Sequence, residues 1–253
     1  MTKHYPALSG SVFDKDSPFC RLPYELDSTQ RRFLEGIRFA IEMAQVSSLR
    51  LRETLAQLSL SNKGEQDIAD SVAVTVFLDA WSVVDSIHRL RELLQAMPKM
   101  KKRGVMLELF MRGTAQVVEL RNHIQHLREE LPRPDSALLP VWGTLSWLFV
   151  LDTSLTRFLS GNIVAGYDVG SNRLILSPGN RTYHDQLDHI TLSADSNQAN
   201  LSEMMRLVVR IGRGLEKSLK PQLEGHDELS LLDSLLLLEI EWLPNTEDST
   251  TNP

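Results

Sequence analysis

A chain of 253 residues, 42% hydrophobic and 24% charged, has enough apolar side chain to fold as one large domain or two small ones without covalent staples. Its single cysteine, Cys20, excludes an intramolecular disulfide framework and a Cys-x-x-Cys metal site, and suits a reducing, cytoplasmic setting. The formal net charge of −6 excludes the overall basic character that coats nucleic acid nonspecifically, though not a local basic site.

Residues 1–27 contain Pro6, Pro18 and Pro23 with little periodicity, and read as an N-terminal arm laid over the body. Asp27 and Gln30 have the spacing of a capping box, with Ser28 as an alternative cap. A helix follows from about Thr29 to Ser59, its stripe running through Leu34, Ile37, Ile41, Ala44, Ser48, Leu51, Leu55 and Leu58. Ser61-Asn62-Lys63-Gly64 ends it. A second helix is predicted from about Glu65 to Met97, through Ala73, Val76, Ala80, Val83, Ile87, Leu90 and Leu94. Val72, Phe77, Trp81 and Val84 widen this stripe, which makes the helix central. Pro98 stops it, and Lys99, Lys101, Lys102 and Arg103 form a basic loop. The third helix runs from about Gly104 to Leu131 through Met106, Phe110, Val117, Leu120, Ile124 and Leu127, and Pro132 and Pro134 end it.

Three such stripes with short connections predict a mainly α fold, an antiparallel bundle of long helices. From Pro140 to Ser193 the character changes to Trp, Phe, Val, Ile and Thr, with turn signals at Gly161-Asn162, Gly170-Ser171-Asn172 and Pro178-Gly179-Asn180. Strands near 143–150, 156–167, 173–177 and 188–193 are predicted to form a small antiparallel β-meander insert, the first of them open to a helical reading. Asn200 and Glu203 mark another capping box, and Leu201, Met204, Val208, Ile211 and Leu215 a fourth helix ending near Pro221. Residues 229–243 read as a final short helix and 244–253 as a disordered tail. The organisation is thus an arm (1–27), a helical bundle (28–131 and 200–243) and a strand-rich insert (140–193). The apolar runs Val141–Leu151 and Leu229–Leu243 are too short or too interrupted to span a bilayer, so no membrane partner is expected.

Gly212 and Gly214 lie inside a helix pattern without a preceding strand, so no phosphate-cradling loop is present, and no serine sits in a nucleophile elbow. Chemistry concentrates at the end of the third helix, in Glu119-Leu120-Arg121-Asn122-His123-Ile124-Gln125-His126-Leu127-Arg128-Glu129-Glu130. At roughly 100° per residue, Arg121, Asn122, Gln125 and His126 fall on the polar arc opposite Val117, Leu120, Ile124 and Leu127. A histidine near its reference pKa of about 6.5 can accept the proton of an RNA 2′-hydroxyl, and an arginine offers phosphate a forked set of donors. The bland reading of the same face is a set of solvated charges paired along the helix.

Arg121 followed by the polar Asn122, with His126 after four intervening residues, resembles the signature of the HEPN superfamily. The resemblance implies a bundle of about four helices that pairs as a homodimer. Active members cut RNA without a metal or other cofactor, often in defence or toxin–antitoxin systems. By that resemblance Arg121 would hold phosphate, His126 would transfer a proton and Asn122 would position one of them. The sequence departs from many toxin members in having Arg128, not tyrosine, two residues beyond the histidine. The runner-up is a non-catalytic helical protein-interaction module, with the strand-rich insert as partner surface. A rival reading takes Glu119, His123, His126 and Glu130, at four-, three- and four-residue steps, as metal ligands on one helix face. Asp79 and Asp85 are the attractive extra ligands for it. His184 and His189 flank a strand without a partner visible in the sequence, and Trp142 and Trp147 read as core of the insert.

Overall fold

A computed structural model describes residues 11–23, 26–61, 69–98, 104–130, 140–164, 176–179, 181–223 and 228–230. The basic loop 99–103, the proline stop at 132–134, residues 173–175 of one proposed strand and the tail 244–253 lie outside these. The architecture is mainly α with a small antiparallel sheet, and among the described residues no helix is long and apolar enough to cross a membrane.

Helix α1, Ser28–Ser61, opens on the predicted cap: the Gln30 N–H donates to Asp27 Oδ1 at 2.9 Å. Helix α2, Asp70–Ala96, runs antiparallel to it. Ser47 Oγ donates to Ser82 Oγ at 2.9 Å, Arg50 Nε to Asp79 Oδ1 at 3.1 Å, and Leu93 lies over Gly36, all with one register sum. Ile37, Ile41, Leu51 and Leu55 of α1 bury against Val83, Ile87, Leu90 and Leu94 of α2. Each such side chain contributes about 1.5–3 kcal/mol relative to exposure.

The third predicted helix is broken into α3 (Val105–Gly113), α4 (Gln116–Gln125) and α5 (Leu127–Glu130). The cause comes from α2. Arg91 Nη1 donates to the Met111 carbonyl and, at 2.7 Å, to Thr114 Oγ1, which itself donates to the Phe110 carbonyl. With Met111's oxygen occupied, the Ala115 N–H turns to Arg112, one residue short of helical pairing. A second irregularity follows at His126 (φ −100°, ψ 17°), where the Glu129 N–H bonds the His126 carbonyl.

The insert forms a four-stranded sheet from β2 (Thr144–Val150), β3 (Phe158–Val164), β4 (Leu187–Ala194) and β5 (Asn197–Asn200). Strand β1 (Arg21–Pro23) belongs to the arm. The sheet order is β3-β2-β4-β5, which corrects the meander: β4 returns to the free edge of β2 instead of adding to β3. Every residue of β2 is buried, which a central strand with both edges paired accommodates and an edge strand would not. The chain at 176–178 is irregular, so the strand proposed near 173–177 does not extend through those residues.

Trp147 Nε1 donates to Ser59 Oγ at 2.8 Å and ties the sheet to α1, while Trp81 Nε1 donates to the Trp142 carbonyl at 3.2 Å. Helix α6, Leu201–Leu223, follows β5 directly and opens on Asn200, whose Oδ1 accepts the Glu203 N–H at 3.1 Å. The arm adds Phe13, Phe19 and Leu22 to the core, the two rings 4.5 Å apart. Strand β1 pairs antiparallel with β6, Glu228–Ser230, so the helix predicted from residue 229 does not begin there. Pairing with β1 makes residues 228–230 strand, and 231–243 lie outside the described residues.

Gly161 faces Trp147 across the β2–β3 pair, and a Cβ there would fall 2.1 Å from the indole ring. Gly161→Ala must therefore displace a buried indole fastened to Ser59. A loss of about 1–3 kcal/mol in denaturant unfolding is the expected outcome.

Candidate functional site

The motif sits where α4 packs on α2. Two contacts set an antiparallel register between them, Arg91 with Thr114 and Arg121 with Asp85. Arg121 Nε donates to Asp85 Oδ1 at 3.3 Å and its Nη1 to Gln125 Oε1 at 3.0 Å, leaving its side chain 24% exposed. Arg89 Nε donates to the other oxygen of Asp85 at 2.6 Å. Burial works to raise the Asp85 carboxyl, but the hydrogen bonds and charges of Arg89 and Arg121 outweigh it and hold the group below the usual carboxylate range.

The same register brings His88 of α2 against the Val117–Arg121 turn. His88 is buried, and its Nδ1 lies 3.4 Å from the Glu92 carboxylate. Burial first, then the positive field of Arg121, push this imidazole below its ordinary pKa and keep it neutral at pH 7. Neither Asp85 nor His88 belongs to the motif's own helix. His88 lies among the buried positions of α2, where a polar group asks for a partner, whereas the partly exposed Asp85 gave no such signal.

His126 stands apart from Arg121. It caps α4, its side chain is 57% exposed, and its Nδ1 lies 3.4 Å from Glu129. Asn122 is exposed. Five residues along a helix turn a side chain through roughly 140°, so the two side chains leave α4 in different directions. One chain therefore presents a fixed arginine and a separate, solvated histidine. The rival ligand set is not gathered either. Among the described residues no three His, Cys, Asp or Glu side chains converge as metal ligands, and the Glu130 side chain lies outside those residues. Glu119 is exposed and His123 partly buried.

A second polar cluster lies at the corner of β4 and α6. Ser146 pairs with Thr191 and Leu148 with Asp188, so His189 and Ile190 together oppose Trp147 in a β-bulge. His189 takes the left-handed conformation there (φ 55°), where glycine is the cheap residue, and it is buried. Its Nε2 lies 3.1 Å from the Thr182 carbonyl, its Nδ1 3.4 Å from Asn200 Nδ2, and Tyr183 meets its ring edge-on at 5.1 Å. The bulged Ile190 N–H donates to Ser202 Oγ of α6 at 3.0 Å.

Asp188 is fully buried and accepts the backbone N–H groups of His184 (2.9 Å) and His189 (2.7 Å) and Arg206 Nη1 (3.1 Å). Burial alone would raise its carboxyl. The two N–H bonds and the Arg206 guanidinium reverse that and depress it. The histidines whose partners were invisible in the sequence thus frame a buried carboxylate that fixes an arginine on the next helix. The adjoining Arg52–Asp185 pair, at 3.0 Å, fastens this corner to α1.

No family model, curated protein or solved structure matches the chain, so its own residues carry the functional reading.

Because the folded pKa of Asp188 is depressed, its contribution to stability is full above the unfolded value of about 3.9 and is lost as pH falls through the folded value. Asp188→Asn should cost about 1.5–3 kcal/mol at pH 7, the scale of hydrogen bonds to a charged group. Thermal melts of both proteins from pH 7 to pH 2 should show the difference shrinking below about pH 4.

Proposed function

We propose that the protein is a HEPN-like RNA-acting module that works as a homodimer at the end of α4, with metal-independent RNA cleavage as the activity its motif would supply. The observation that carries this reading is the clamp on Arg121. Asp85 and Gln125 engage one Nε–H and one Nη1–H of the five guanidinium donors, leaving the outer Nη1/Nη2 fork for a phosphate. His126, half exposed one helical turn beyond, is the group for proton transfer, and Asn122 is the exposed polar residue between them. Since the two side chains diverge within one chain, the composite site requires Arg121 of one copy and His126 of another. In this reading the long antiparallel helices form the bundle, the strand-rich insert offers a surface for a protein partner, and the setting is cytoplasmic.

A second reading is a non-catalytic interaction module. Phe39, Met43 and Val46, at four- and three-residue steps, lie exposed in one line on α1, an apolar strip of the kind that partners cover.

The two readings part on one assay, a mixed RNA pool incubated in excess EDTA with wild type, His126→Ala and Arg121→Ala. Under the leading reading wild type cleaves and His126→Ala loses activity by about 10²-fold or more. Its stability should stay within about 0.5 kcal/mol, as for other surface substitutions. Equal cleavage by wild type and His126→Ala removes the enzymatic claim, and absence of cleavage by wild type leaves the interaction module.

A further inference from the structure

Two adjoining cavities open over the β4–α6 corner, and they share one wall made by Arg181 and Glu203. The first, of about 560 Å³, is lined by Arg181, Thr182, His184, His189 and Arg206, with the Glu203 carboxylate as its one acidic group among the described residues. The second, of about 390 Å³, is lined by the amides Gln116, Gln198 and Asn200 together with the buried apolar side chains Leu176 and Met204. Both volumes lie in the range of small-molecule sites.

The chemistry of the two lobes differs in a way that suits the two ends of one molecule. In the basic lobe, Arg206 is held in place by a fully buried carboxylate through Nη1, so its remaining donors are fixed before any ligand arrives. Arg181 is exposed, and among the described residues no carboxylate pairs with it. A fixed and a free guanidinium facing one cavity are the donors a phosphate requires. In the second lobe Gln116 offers donors and acceptors, and Gln198 and Asn200, held by Ser193, His189 and the start of α6, add their remaining ones beside two apolar walls, which is what the edge and face of a heterocyclic base require. The Glu203 carboxylate stands between the lobes, where it can accept hydrogen bonds from sugar hydroxyls.

We propose that this corner binds a nucleoside 5′-phosphate, with phosphate at Arg181 and Arg206, sugar at Glu203 and base among Gln116, Gln198 and Asn200. The same chemistry is carried by a free nucleotide or by the 5′-phosphorylated end of an RNA. The site is separate from the α2–α4 face, and its existence does not depend on the activity proposed there. The strained His189 has a role in it. Holding the Thr182 carbonyl on one side and facing Asn200 on the other, it positions the Arg181 segment against the base lobe.

Isothermal titration of the full chain with the four ribonucleoside 5′-monophosphates, the matching nucleosides, inorganic phosphate and a short RNA with and without a 5′-phosphate tests the proposal. At least one monophosphate should bind, at least tenfold tighter than its nucleoside and than inorganic phosphate. Arg181→Gln and Glu203→Gln, both at exposed positions, should each weaken that binding about tenfold or more, with the melting temperature of the unliganded protein unchanged for Arg181→Gln and slightly lowered for Glu203→Gln, which removes a first-turn charge from α6. Binding of the phosphorylated RNA but not of free nucleotides assigns the site to RNA ends, and tighter binding of free nucleotides assigns it to small molecules. No binding by any phosphate-bearing ligand at millimolar concentration overturns the proposal. So does binding that survives Arg181→Gln, or inorganic phosphate binding as tightly as every nucleotide.

Discussion

Arg91 reaches from α2 into the third helical segment and takes the Met111 carbonyl and the Thr114 hydroxyl, and much of the remaining structure depends on that insertion. Burial pulls the guanidinium below its ordinary pKa, yet the group stays ionised, because arginine's reference value is so high. Its two acceptors are in turn buried or backbone groups that would otherwise be left unpaired. The break it creates lets one stretch of chain serve two neighbours. Before the break, α3 runs antiparallel to α6, with Gly113 under Leu207 and Met106 against Gly214. After the break, α4 lies on α2 and against β5. A straight helix would hold only one of these lines.

Both polar sites follow from this arrangement. On one side of the break the α2–α4 register brings Asp85 to Arg121. On the other side, Gly113 and Gln116 flank the break and help close the amide-lined cavity beneath α6. The protein also uses its aspartates in a repeated way, two of them fully buried and Asp85 partly exposed. Asp79 holds Arg50, Asp85 holds Arg89 and Arg121, and Asp188 holds Arg206. In each case a carboxylate on one element orients a guanidinium whose outer edge remains partly exposed. That is a costly way to gain stability, because desolvating a charge offsets most of its attraction, but an effective way to fix a cation in position.

The sequence carried the parts of this fold that are local. The stripes of α1 and α2 and the caps at Asp27 and Asn200 are governed by periodicity and short-range hydrogen bonds, whereas residues 144–150, buried throughout, read from sequence as a strand with a helical alternative. What it did not carry is non-local. The apolar stripe from Met106 to Leu127 continues across the break, because the contact that holds the break open comes from Arg91, some twenty residues away, and the lone Gly113 beside it does not by itself end a helix. Strand order depends on which edge of β2 receives β4, a non-local pairing that the alternation of side chains along one strand does not encode. The motif residues Arg121, Asn122 and His126 were legible, but the partner that fixes Arg121 lies on another helix. His184 and His189 seemed unpaired in sequence because their partners, Thr182, Asp188 and Asn200, meet them only through the β4 bulge and the start of α6.

If the Arg91 insertion organises both sites, removing its donors while keeping its bulk should loosen them together. Hydrogen exchange on Arg91→Met, compared with wild type, measures this directly. The account predicts lost amide protection throughout α4 and in the turn of α6 around Leu207, while the facing cores of α1 and α2 stay protected. Unchanged protection in α4 and α6 would contradict it, and would mean that the broken helix is held by its packing alone.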